Sequence, residues 1–159
     1  MELRKNLIDI FKVVGNDEEL LRLLYYPTDP LNQSKQDVKS LPDYADIRKE
    51  RIMRSPKTDD ITNKEICRVC VYFGNRNNGR SNSHFAHQDV VFDIYCHIDK
   101  YDSNDARSLW IADRLNGILH DEHITGFSKT KSDQMFIIGN PPSGYIGYKY
   151  IYEFVSENY

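Results

Sequence analysis

Hydrophobic positions along the chain change period several times, and each change marks an element. From Glu2 to Val14 the apolar residues Leu3, Leu7, Ile10, Phe11 and Val14 fall near the i, i+3, i+4, i+7 spacing of an amphipathic helix, which Gly15 ends. Asn16 then caps a second short helix with Asp17, Glu18 and Glu19 in its first turn, where the helix dipole favours negative charge. Its apolar side is Leu20, Leu21, Leu23, Leu24 and Tyr25, and Pro27 with Pro30 stops it. Between Thr28 and Asn63 the periodicity fades into polar residues punctuated by Pro30, Pro42 and Pro56, a long connection broken by a short helix over Asp43 to Met53.

Strand patterning begins near Glu65. Cys67, Val69, Val71 and Phe73 make one face, with Arg68, Cys70 and Tyr72 on the other. The run Gly74 to Ser83 is glycine, asparagine, serine and arginine, and predicts a mobile hairpin tip carrying Arg76 and Arg80. A second strand returns over Phe85 to Ile98, placing Val90, Phe92, Ile94, Cys96 and Ile98 on one side. A helix follows, capped by Ser103 or Asn104, whose stripe Ser108, Ile111, Ala112, Leu115, Ile118 and Leu119 must cover the sheet. Ile124 to Phe127 and Gln134 to Ile138 read as one broken strand. Tyr145 to Val155 alternates throughout, with Ile146, Tyr148, Tyr150, Tyr152 and Phe154 on one face. The expected fold is α+β, a mainly antiparallel sheet with a helix packed on one face, in the order α-α-(long loop)-β-β-α-β-β. One domain is expected over 1–159, comprising a helical pair (1–26), a long loop (27–63) and a sheet-and-helix core (64–155).

Composition adds little that is exceptional apart from eleven tyrosines against a single tryptophan. Tyrosine suits half-buried sheet faces and subunit contacts. The net charge of -3 makes the whole chain a poor electrostatic match for a polyanion. There is no long apolar run and no signal-like N-terminus, so the reading is a protein that stays in the cytoplasm where it is made, with no membrane partner. Three cysteines in such a chain read as free buried thiols.

Few residues suggest chemistry. Cys67-x-x-Cys70 followed by His84-x-x-His87 has zinc-ligand types, and a small zinc-dependent enzyme or regulator is the alternative it supports. Residues three apart on a regular strand point to opposite faces, so the cysteines read instead as ordinary sheet residues. Cys96 and His97 are strand neighbours and face apart, His120 and His123 suit a helix end, and Asp43, Asp46, Asp59 and Asp60 are scattered. The turn Asp99 to Asp105 holds no glycine and repels phosphate. No catalytic, cofactor-binding or metal residue is assigned, and the protein is read as not an enzyme.

Candidate contact residues are of two kinds. Trp110 lies off the core stripe near Ala106 and Gly117, either as an anchor for another subunit or covered by the N-terminal helices or long loop of its own chain. Arg48, Lys49, Arg51 and Arg54 form either a solvated helix face or a basic patch for a partner. With Arg76 and Arg80, three of those arginines, Arg48, Arg51 and Arg54, would also serve a nucleic-acid-binding module.

The block Asp89 to Ile98, its polar turn, and the helix from Ala106 to Leu119 resembles the central part of tailed-phage tail terminator and tail completion proteins. Ala106 or Ser108, Ile111, Ala112, Leu115 and Leu119 occupy the matching helix positions, and the resemblance extends over about Lys64 to Val155. It implies a homo-oligomeric ring, commonly a hexamer, at the head-proximal end of the tail, which stops tube polymerisation and joins the tail to the head connector. The implied partners are further copies of the chain, the tail tube protein and a head-connector or neck protein, with nucleic acid only passing through the lumen. The implied location is the tail or neck of the virion. Another neck or head-closure subunit is the alternative, because the N-terminal pair and the loop 27–63 are longer than that group leads one to expect.

Overall fold

The computed structural model describes residues 1–159. Two helices open the chain, α1 (Leu3–Gly15) and α2 (Glu18–Tyr25), followed by a 3-10 turn (Val38–Ser40), α3 (Tyr44–Arg51) and the two-residue strand β1 (Ile52–Met53). Strands β2 (Cys67–Asn78) and β3 (Phe85–His97) form a long hairpin. A π-helical turn (Ile98–Asp102) and the one-turn helix α4 (Ser103–Asp105) lead into α5 (Arg107–Leu119), and β4 (Lys131–Ile137) and β5 (Tyr145–Glu157) close the chain. The sheet has five strands in the order β1-β2-β3-β5-β4. Every pairing is antiparallel except β1 with β2, where Ile52 lies opposite Val69. The fold is thus α+β, with several helices against one face of a mixed, mostly antiparallel sheet.

The helices cover the face that alternation predicts. Cys67, Val69 and Val71 of β2, Val90 to Cys96 at even positions of β3, and Tyr152 and Phe154 of β5 join Ile10, Val14, Leu20, Leu21, Leu23 and Leu24 of the N-terminal pair and Ile111, Leu115 and Leu119 of α5 in a single core of 23 residues. Such apolar burial is the main favourable contribution to folding, at roughly 25 cal/mol per Å². A smaller cluster, Ile61, Ile66, Cys70, Tyr95 and Tyr145, lies on the opposite face under the segment before β2. In it Tyr95 lies over Gly147 in the neighbouring strand, where a Cβ would meet the ring at 2.9 Å.

Several local expectations are corrected. Asp17, rather than Asn16, caps α2, its carboxylate accepting from the Leu20 N–H at 2.9 Å. The main helix starts later than Ser103 or Asn104 implies. Ala106 takes a left-handed conformation, φ 53° and ψ 48°, and splits α4 from α5. Asp102 then serves as the cap, accepting from the N–H and the hydroxyl of Ser108 at 2.8 and 2.5 Å. Ile124 to Phe127 is not strand; Thr125 turns inward there and donates to Asn6 and Asp9 on α1. The run Gly74 to Asn78 is strand rather than loop, continuing β2 past a bulge between Phe73 and Arg76.

The segment 27–63 is held by buried arginines. Arg22, on α2, donates to the carbonyls of Pro30, Asn32 and Lys35 and to the Asp37 carboxylate at 2.6 Å. Arg68, fully buried on β2, donates to the Glu50 and Lys57 carbonyls and makes a two-pronged contact with Asp60 at 2.6 and 3.0 Å. Arg107, also fully buried, gathers the Leu23, Tyr26 and Pro27 carbonyls at the C-terminal end of α2 and is held in turn by Asp105. These carbonyls lie where the chain turns out of a helix or runs irregularly, so the guanidinium forks supply partners that secondary structure does not. A positive charge at the end of α2 also meets the negative pole of its dipole.

Two outcomes are expected. Arg107→Lys retains the charge but loses the planar fork that reaches three carbonyls, and urea unfolding should show a loss of about 3 kcal/mol. The Arg68 guanidinium holds the Asp60 carboxyl well below the usual carboxylate range. A depressed carboxylate contributes stability that is present above its unfolded pKa, about 4, and is lost as pH falls towards its folded value. Asp60→Asn should therefore cost about 2 kcal/mol at neutral pH and flatten the stability profile below about pH 4, as measured by denaturant midpoints across the acid range.

Candidate subunit interface

The residues singled out by sequence do not form one site. Cys67 faces the helix-covered core, with its sulfur 3.0 Å from that of Cys96 directly across the strand pair. Cys70 faces the other way and donates to the Lys57 carbonyl at 3.6 Å. His87 pairs with Asn77, seven strand positions beyond Cys70, which at about 3.3 Å per residue is roughly 23 Å away. His84 lies further out in the hairpin turn and is exposed. The zinc alternative through Cys67, Cys70, His84 and His87 is overturned by that separation, and no group of three potential ligands converges elsewhere. Burial pushes the Cys70 thiol up to about 12 and, together with the Cys67 hydrogen bond, raises Cys96 well above its ordinary value. Both thiols are protonated at neutral pH.

The basic residues separate in the same way. Arg51 turns inward to the Leu24 carbonyl and the Tyr101 hydroxyl. Arg76 is not a free cation at a mobile tip: it donates to Ser156, Gln88, Asn158 and the Glu157 carbonyl and ties the hairpin to the end of β5. Arg80 stays exposed in the turn. Arg48 is half-buried, its guanidinium 5.3 Å from the centre of the Tyr44 ring. The five arginines that would form one nucleic-acid surface thus do not share one: Arg51 and Arg76 are committed to holding the fold together, Arg80 lies in the hairpin turn, and only Arg48 and Arg54 are neighbours.

Trp110 is half-buried at the margin of the main core, with the Arg107 guanidinium 5.9 Å from the centre of its ring. Its remaining surface lines a shallow hollow with Pro30 and Asn104. Ala106 sits at the left-handed junction just before α5 and outside the helix that carries Trp110, and Gly117 is exposed with open space beside it.

What sequence reading missed is the sheet edge. The segment His120 to Glu122 shields the start of β4: the Asp121 N–H donates to the Thr130 carbonyl, the Thr130 N–H to the Glu122 carbonyl, and the Ser132 N–H to His120. Beyond Asp133 nothing pairs with the outer edge. There Phe136, opposite Lys149, projects from one face of the sheet at 44% exposure, and Ile137, opposite Tyr148, from the other at 60%. Natural sheet edges are usually blunted by charge, proline or bulges; here the bulge between Ser132 and Gln134 and the charges of Lys131 and Asp133 lie at the start of β4, and residues 134–138 carry none of them. The signal was present in the sequence as Met135-Phe-Ile-Ile138 in a strand with charged residues only at its start.

The neighbouring sheet face is less inviting. At its centre the Asp93 carboxylate accepts from Tyr72 at 2.6 Å and from Lys149 at 2.8 Å, and Lys149 also donates to the Tyr72 hydroxyl. This saturated polar triad leaves no free charge at the centre of the face beside β5 and β4. For Trp110, packing at the core margin predicts that Trp110→Ala lowers monomer stability by about 2 kcal/mol in thermal or urea unfolding; unchanged melting with weakened self-association would make it an interface anchor instead.

Comparison with known proteins places the chain by descent. A family profile described as YomW matches residues 17–154. The "SPbeta prophage-derived uncharacterized protein YomW" of Bacillus subtilis (strain 168) is similar at 38% identity, the alignment covering 94% of this chain and 95% of that protein. Matches of this extent, the family profile running from the cap of α2 into the last strand, mean that the chain belongs to the YomW family.

Proposed function

We propose that this protein is a non-catalytic structural subunit of a tailed phage, a ring-forming tail terminator that closes the tube and joins it to the head connector. The observation that carries the reading is the open end of β4, where unpaired backbone lies between exposed Phe136 and Ile137. An edge of this kind takes a strand from another copy, backbone hydrogen bonds supplying affinity and alternate side chains supplying register. In a head-to-tail arrangement such contacts generate a ring when the rotation closes. The prophage origin of the Bacillus subtilis relative supports a phage role, and the resemblance of the strand, turn and helix over 89–119 to tail terminators supports the station in the tail. A hexamer is the copy number that resemblance suggests.

Native mass spectrometry over a concentration series tests the reading. The expected result is a closed oligomer that dissociates when Ile137→Lys places a charge at the edge, while the melting temperature of the monomer stays within about 2 °C because the residue is mostly exposed. A strict monomer at every concentration, with no co-sedimentation with purified tail tubes, would contradict it. Co-sedimentation with head connectors but not with tubes would move the protein to the neck or head-closure station.

A further inference from the structure

A second surface stands apart from the sheet edge, between α1 and α3. Arg48, Lys49 and Arg54 rim a groove of about 560 Å³ over Phe11 and Met53, and Lys12 extends the same rim along α1 beside Arg48 and Arg54. None of these four cations has a carboxylate within salt-bridge distance, whereas most other arginines of the chain are engaged by carboxylates or carbonyls. Asp9, one turn before Lys12, is taken up by Lys5 and Thr125. Aromatic rings hold the guanidinium groups in place instead: Arg54 lies 5.0 Å from the centre of the Phe11 ring and Arg48 lies over Tyr44. Rings orient a guanidinium without satisfying its N–H donors; Arg48 gives one N–H to the Tyr44 hydroxyl at 3.3 Å and Arg54 makes no hydrogen bond within the chain, so the remaining donors are available for an anion.

The cluster is not a by-product of general basicity, because the net charge is -3. We infer that this groove is a docking site for an acidic protein segment that carries an apolar anchor residue. Two forked guanidiniums match carboxylates in geometry as well as charge, and the two ammonium groups extend the complementary field. Apolar surface from Phe11 and Met53 at the floor favours a segment with an aliphatic side chain between its acids over a phosphate backbone, which offers nothing to bury there. The stacking face of Phe11 is taken by Arg54, so no nucleotide base has a ring to lie on. The site is independent of the ring reading and holds for a monomer or an assembly.

Fluorescence anisotropy of the full chain with three probes decides it: a peptide of repeating Glu-Glu-Leu triplets, a polyglutamate peptide of equal length, and an oligothymidylate of matched charge. The Glu-Glu-Leu peptide should bind most tightly, weaken as salt rises, and lose about fivefold in affinity with Arg48→Gln or Arg54→Gln, while Arg80→Gln leaves binding unchanged. Arg54→Gln breaks no hydrogen bond within the chain, so its melting temperature should match that of the wild type and keep the comparison interpretable. Tighter binding of the oligothymidylate, absence of binding by any probe at low salt, or equal loss with Arg80→Gln would overturn the inference.

Discussion

Three guanidinium groups in the interior set the terms for the rest of the structure. Arg22, Arg68 and Arg107 are each largely or wholly removed from water, and each is surrounded by backbone carbonyls and at least one acidic partner. A buried charge is tolerated only when its donors are satisfied and a counter-charge lies close. Meeting that condition forces the irregular chain between α2 and β2 into one path, because the carbonyls that do the satisfying belong to it: Pro30, Asn32 and Lys35 for Arg22, Glu50 and Lys57 for Arg68. The Arg107 cluster locks the end of α2 to the start of α5. The segment 27–63 is therefore part of the fold's frame, and α3 and β1 are placed by it.

Fixing that frame determines which surfaces stay free. With α1, α2, α3 and α5 on one face of the sheet, and the residues before β2 folded over part of the other, the parallel strand β1 pairs with the Val69–Cys70 end of β2. At the centre of the second face the buried Asp93 carboxylate is neutralised by Lys149 and held by Tyr72. Two of the surfaces left are the far end of β4 and the groove where α3 meets α1. One offers backbone pairing flanked by apolar side chains, the other charge over an apolar floor. The two surfaces call for different partners, and the proposed function assigns the first to another copy of the chain and leaves the second for a separate component.

The sheet and its covering helix were legible because their information is local. Ile146 to Phe154 and Val90 to Cys96 alternate apart from Ile151 and Val91, and the stripe from Ile111 to Leu119 has one period, so each element declares its buried side. The remainder depends on contacts between distant positions. Arg68 and Cys70 read as the polar side of β2, and only the return of the 54–66 segment makes that side a second core. Ile52 and Met53 are too short a strand to show any period. Arg51 and Arg76 look identical in sequence to exposed cations, and their partners lie 27 residues before and about 80 residues after them respectively. The left-handed Ala106 gives no signal, since glycine or asparagine is the usual occupant of that conformation. For the candidate site, Trp110 drew notice by residue type, whereas exposure of Phe136 and Ile137 follows from β4 being the last strand in the order, which topology alone reveals.

The central claim is that copies of this chain associate through the open edge of β4, and hydrogen exchange of backbone amides at low and high protein concentration addresses it directly. Amides on the outer side of Asp133 to Ile138 have no partner in the single chain and should exchange freely when dilute. They should become protected as concentration rises, with little change in β3, which is already paired with β2 on one side and β5 on the other. Unchanged exchange across β4 in a sample that has demonstrably assembled would contradict it and place the interface elsewhere.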